Sequence, residues 1–232
     1  MKKFYTSAAV EPRDGAFAVL LDGKPIRTPA GKALAAPTAA LAERIAEEWR
    51  SQGERIRAAT MPLTQLLNTA LDRMGPGKIR DAAVAEIAGY AATDLVCFRT
   101  AYPPSLAERQ RATWQPLLEW LKERYGAELA VTESLGAPSQ APDSLARIAA
   151  AVAAYDAPRL AALHLATGAL GSVVIALALA ERRLDAEAAF QAAHLDELFQ
   201  IEEWGEDTEA AARLERIRAD LAAAAELLRL VA

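Results

Sequence analysis

The densest run of polar residues stands near the C-terminus, in His194-Leu-Asp-Glu-Leu-Phe-Gln-Ile-Glu-Glu-Trp-Gly-Glu-Asp-Thr-Glu-Ala-Ala211. Asp196, Glu197, Glu202, Glu203, Glu206, Asp207 and Glu209 surround one indole, Trp204. Acid–base or nucleophilic chemistry needs a carboxylate or His beside a nucleophile or a metal. Here no Cys or Ser nucleophile accompanies the carboxylates, and no second His stands at metal-ligand spacing. Carboxylates around a large aromatic suit two other roles: a surface that meets another protein, or a helix start rich in caps. Glu209 has both readings. It is a first-turn carboxylate favourable to the dipole of the last helix, with Asp207 as the cap, or it stays unpaired and meets a partner's Arg or Lys.

Other candidate chemistry is thinner. Gly75-Pro-Gly-Lys78 ends like a phosphate loop, but Asp72 stands where that loop needs a glycine and Pro76 lacks a backbone donor. A helix-to-helix turn is expected there. The chain has no GxGxxG, GxSxG or CxxC. Cys97, between Val96 and Phe98, reads as a small buried hydrophobe, flanked by Asp94 and Arg99 that would form a buried ion pair. Trp49, Trp114 and Trp120 read as core or half-core anchors, whereas the polar neighbours of Trp204 set it apart. An enzyme reading survives as the competitor: a small helical hydrolase using Asp94, His164, His194 and nearby carboxylates. It requires those groups to converge in one pocket.

The elements that must carry these residues change character along the chain. Residues 16–21 are a strand candidate, Asp22-Gly23 a hairpin turn, and residues 24–28 a return strand that Pro25 confines to an edge. Residues 4–10 supply another strand, turning at 12–15. From Thr38, a helix cap, the apolar period becomes helical, with Leu41, Ile45 and Trp49 along one side. A helix opens at Thr60-Met-Pro-Leu-Thr64 and stops at Gly75. Further helices are predicted over 79–94, 106–125 (stopped by Gly126), 143–154, 157–181, 185–204 and 207–230, with a short strand at 129–132. The fold class expected is α+β: a small β-rich domain over residues 1–36 and a helical domain over 37–232.

Composition bounds the function. The chain has 232 residues, 53% of them apolar, and a formal charge of -5, which disfavours nucleic acid as a partner. One cysteine allows no internal disulfide and fits a reducing compartment. Residues 160–180 lack Asp, Glu, Lys and Arg over a length that could span a bilayer. They also hold His164, Thr167, Gly168, Gly171 and Ser172 among many alanines, so a buried helix is expected rather than membrane insertion. Lys2 and Lys3 lead into no apolar run, and Glu11 and Asp14 come too early for a transit peptide. A bacterial cytoplasmic protein is expected.

The residues also form an ordered series. It runs through Phe4-Tyr5, Leu21-Asp-Gly-Lys-Pro-Ile-Arg-Thr-Pro29, Glu48-Trp49 with Gln52, Met61-Pro-Leu-Thr64 and Asn68-Thr-Ala-Leu-Asp72. It continues through Tyr90 with Thr93-Asp-Leu95, Arg109-Gln110, Trp114 and Pro116-Leu-Leu-Glu-Trp120. It closes on Gly171-Ser172, Ala176-Leu-Ala178, Leu195-Asp-Glu197, Gln200, Trp204-Gly-Glu-Asp207 and Glu209-Ala210. In this order and spacing the chain resembles the Atp-twelve type of ATP synthase assembly chaperone, a family that attends the α subunit of the catalytic F-one sector. The resemblance implies a protein without enzymatic activity or cofactor. It would hold the free α subunit and shield the face that later meets the β subunit. It implies the same division into a small N-terminal β-containing domain and a larger helical one. The family's functional glutamate falls on Glu209, and its early tryptophan after a Glu falls on Trp49. Partner binding is therefore expected at Glu209, Asp207, Trp204 and Glu206, with Trp49 as a structural anchor. A monomer is expected, with mitochondrial matrix the site of eukaryotic relatives only.

Overall fold

The computed structural model describes residues 1–134, 136–205 and 207–232. Its N-terminal part is a small antiparallel sheet. The strands are β1 (Ala8–Arg13), β2 (Ala16–Leu21), β3 (Lys24–Pro25) and β4 (Ala35–Ala36). β2 is central: it pairs with β1 from Ala8↔Leu21 to Arg13↔Ala16, and also with β3 and β4. Both hairpin turns use two residues at positive φ, Asp14-Gly15 (51° and 78°) and Asp22-Gly23 (46° and 77°). That conformation matches the right-handed strand twist and favours Asp-Gly. The first strand starts at Ala8 rather than residue 4, because the Asp22 carboxylate takes the N–H groups of Thr6 and Ser7 (3.1 and 2.8 Å). Pro12 is carried within β1, an edge strand where its missing N–H costs no ladder bond.

The chain falls into two compact units. One comprises Met1–Arg80, Asp156–Ala162 and Glu226–Ala232; the other comprises Asp81–Tyr155 and Leu163–Ala225. In the first unit α1 (Ala39–Arg50) is capped by Thr38, whose Oγ accepts from Leu41 N at 3.2 Å. It buries Leu41, Ala42, Ile45 and Ala46. α2 (Pro62–Arg73) starts on Pro62, which has no N–H to leave unpaired. The Leu63 and Thr64 N–H groups are taken by the Glu48 carboxylate (2.7 and 2.8 Å), and Thr64 Oγ donates to the same carboxylate at 2.6 Å. Glu48 thus caps a helix fifteen residues away in sequence. Burial, its largest influence, raises its pKa.

The remaining helices are α3 (Lys78–Gly89), α4 (Pro104–Tyr125), α5 (Pro142–Ala153), α6 (Ala157–Leu170), α7 (Val173–Ala180), α8 (Ala186–Ala193), α9 (Leu195–Trp204) and α10 (Thr208–Leu230). α4 stops at Gly126, in the left-handed conformation at φ 67°, as its position predicts. The helix expected over 157–181 is two helices. Gly171 turns left-handed at φ 64°, and Ser172 restarts the chain as a cap, its Oγ accepting from Ile175 N at 3.1 Å. The one expected over 185–204 divides at His194. Only a single parallel bridge, Phe98↔Thr132, marks the strand expected at 129–132. Among the described residues no helix is long and apolar enough to cross a membrane. The charge-free stretch is core instead: Leu160, Leu163, Ala166 and all of Val173–Ala178 are buried.

Candidate functional site

α9 and α10 position the acidic segment. α9 buries Leu195 and Phe199, then ends at Gly205, whose φ of 90° suits glycine. Trp204, its last residue, is 79% exposed, the opposite of what burial energetics favours for an indole. Asp207 begins the next helix: its Oδ2 accepts from Ala210 N at 3.1 Å and its carbonyl from Ala211 N at 2.9 Å. Glu209 follows in the first turn of α10, exposed and with no hydrogen-bond or ion-pair partner among the described residues. Both readings of Glu209 are therefore geometrically compatible: it sits where the dipole favours a carboxylate, and it is free to meet a cation. Glu206, the fourth expected partner-binding residue, lies outside the described residues. Glu202 pairs with Arg109 at 2.6 Å, and Glu197 pairs with Arg213 and lies 3.6 Å from His194.

Beside this corner, α4, α8, α9 and α10 border an open cavity of about 730 Å³. Its lining is mostly apolar and includes Leu198 and Ile201 of α9. Those two positions and Trp204 recur every three residues, so the sequence did carry a signal for an apolar stripe. The facing residues of α4 and α8 are brought there only by tertiary packing.

Among the described residues Asp94, His164 and His194 each engage separate partners. Asp94 is wholly buried and serves as a cap. It accepts from Ser172 Oγ (2.6 Å), Val174 N (3.1 Å) and Val96 N (3.2 Å). Burial outweighs these bonds and pushes its pKa up to about 6. The buried ion pair expected between Asp94 and Arg99 is absent among the described contacts. Arg99 instead lies over the Trp114 ring at 5.1 Å and donates to the Gln110 carbonyl at 2.8 Å. His164 lies 3.2 Å from Glu86. His194 stacks on Phe190 at 4.8 Å, and burial holds its pKa below the ordinary histidine value. Cys97 is buried, which pushes its thiol up to about 12 and leaves it unreactive. Among the described residues no group of three or more His, Cys, Asp or Glu is placed to hold a metal ion.

Trp49 is half-buried on α1. It packs against a cluster of Tyr5, Ala8 and Leu21, with the Tyr5 ring edge-on at 5.6 Å. Tyr5 also donates to the Trp49 carbonyl at 2.6 Å. The tryptophan thus holds the N-terminal segment against α1. Trp114 is a core anchor, fully buried, with its indole N–H on the Ala192 carbonyl at 2.7 Å.

Comparison with known proteins agrees with this architecture. The family model described as ATP12 chaperone protein matches residues 2–122, just over half of the chain. Atp12 of Paracoccus denitrificans, in its crystal structure, is 35% identical, covers 100% of this chain and 98% of its own, and superposes with a TM-score of 0.93. The chain belongs to the ATP12 chaperone family. A P. denitrificans Atp12p mutant with one aspartate replaced by lysine superposes with the same score and identity. The mitochondrial protein atp12 of Schizosaccharomyces pombe is 24% identical over 214 residues, which are 88% of this chain and 74% of that one. The α+β architecture is that of the family, and the bacterial relatives fit the bacterial character read from the sequence. The family-model match stops before α5, so the α9–α10 corner is supported by the full-length superpositions instead.

Proposed function

We propose that this chaperone of ATP synthase assembly binds the free α subunit and shields its intersubunit face, using Trp204, Asp207 and Glu209 at the α9–α10 corner. The observation that carries the reading is the exposed indole among carboxylates. An aromatic anchor with a charged rim is the composition of a protein-binding hot spot. A free subunit of a larger assembly exposes apolar interface, which aggregates unless covered. A chaperone must then release it, and a contact that is partly electrostatic suits a moderate, displaceable affinity.

The chain acts without catalysis in this reading. Its buried carboxylate is committed to capping α7, and His164 and His194 engage separate partners. It works as a monomer in the bacterial cytoplasm. Glu206 belongs to the proposed surface by its place between Trp204 and Asp207. Co-expression tests the proposal: α subunit made with this chain should remain soluble and co-purify with it, without retained nucleotide. An α subunit that precipitates equally with and without the chain would refute it.

A further inference from the structure

The open cavity bordered by α4, α8, α9 and α10 is lined by no residue assigned so far to partner binding. Its apolar surface comes from Ala112 and Leu117 of α4, Ala188 of α8, and Leu195, Leu198 and Ile201 of α9. Leu198 and Ile201 are only half-buried, so α9 leaves apolar surface uncovered there. At about 730 Å³ the cavity lies within the ~300–1,000 Å³ typical of ligand clefts. Trp204 stands three residues past Ile201, about 5 Å further along the helix axis. Leu198 and Ile201, half-buried, and the exposed Trp204 form a track of apolar side chains at three-residue steps along α9.

Charge decides what the track fits. Two guanidinium groups stand on its walls, and each already has a carboxylate and a ring. Arg109 bonds Glu202 at 2.6 Å and lies over Phe199 at 5.1 Å. Arg218 lies 3.3 Å from Glu187 and over Phe190 at 4.1 Å. At the Trp204 end, Glu203 and Glu209 are exposed and unpaired among the described residues. The available charge at that end is therefore negative, and an acidic occupant would meet no available cation on the walls. We propose that the track is a docking groove for an amphipathic helical segment of the α subunit. That segment seats apolar side chains at i, i+3/i+4 and i+7 between α4 and α9, and sets a Lys or Arg against Glu203 and Glu209. The inference rests on the α-subunit reading above and adds the surface and the chemistry of the segment.

The experiment combines a cross-link with two groove variants. Cys97 is wholly buried, so Ala112→Cys gives a single accessible thiol for a benzophenone label. Irradiation with purified α subunit should join the label to one apolar segment of α that carries Lys or Arg. Ala112→Trp, at an exposed helix position, and Leu198→Gln should each weaken α binding at least tenfold with unchanged melting. If either variant melts early, the cross-link map decides. A label that joins a second copy of this chain would overturn the inference, as would one that joins an acidic segment of α. Both variants binding α like the parent, while Glu209→Lys binds weakly, would remove the groove and leave the α-subunit reading standing. A parent chain that does not bind α at all would remove both.

Discussion

Asp94 and Glu209 each stand at the N-terminal end of a helix, Asp94 beside α7 and Glu209 in the first turn of α10. Their surroundings differ completely. Asp94 has no exposed surface, and three donors converge on it. Glu209 is exposed and has no partner among the described residues. Glu48 lies between them: half-buried, with two N–H groups and a hydroxyl of α2 on its carboxylate. The same chemical group builds the fold where donors surround it and stays available to a partner where none do. What separates the roles is the supply of donors and the cost of desolvation, not the residue type.

That contrast can be broken at its buried end first. Asp94→Ala would leave the Val96 and Val174 N–H groups and the Ser172 hydroxyl without their acceptor. Each stranded buried donor costs about 1–3 kcal/mol, so a loss of roughly 3 kcal/mol or more is expected in chemical denaturation. A loss under about 1 kcal/mol would show that water replaces the carboxylate and that Asp94 is no true cap.

The raised pKa of Asp94 gives a second, pH-dependent reading. Folding raises its pKa from 3.8 to about 6. Its protonated form therefore contributes stability fully below about pH 4, and that contribution is lost as pH rises through about 6. Relative to an Asp94→Asn variant, the parent should lose up to about 3 kcal/mol across that window and change little above about pH 7. Parallel stability–pH curves for the two proteins would mean that the bonds to Asp94 offset its burial entirely.

Trp49→Arg comes next. It replaces a half-buried indole that packs on Tyr5 and Leu21 with a charge, at a cost of about 2 kcal/mol. The melt should shift while Trp49→Phe stays close to the parent. An unshifted melt for Trp49→Arg would make the Tyr5 contact incidental.

These residues also show what the sequence could reveal. The Asp22-Gly23 turn, the Thr38 cap, the Pro62 start of α2 and the Gly126 stop of α4 were legible because each is settled by residues within one turn. The break between α6 and α7 was not. Its local signals, Gly171 and Ser172, are weak inside an apolar run, and the acceptor that fixes it comes from Asp94, 78 residues away. The Glu48 cap was hidden for the same reason, its donors lying on the next helix. The split at His194 carries no breaker residue at all. At the site, the acidic cluster and the odd polarity around Trp204 were legible from composition alone. The cavity beside it was not, since three of its four bordering helices meet α9 only in the folded chain.

The exposed end of the contrast yields the smallest effect on folding and bears most on the proposed function. Glu209→Lys replaces a favourable dipole contact with an unfavourable one, worth under about 1 kcal/mol of stability. Against a cationic contact on a partner it should cost roughly 1–3 kcal/mol of binding. Titration of purified α subunit with parent and Glu209→Lys chains, each checked by circular dichroism and melting, separates the two quantities. The expected result is a near-native melt with α affinity reduced about fivefold to 150-fold, the difference shrinking as salt is raised. Unchanged affinity, or affinity lost only in step with the fold, would contradict a partner surface at the α9–α10 corner.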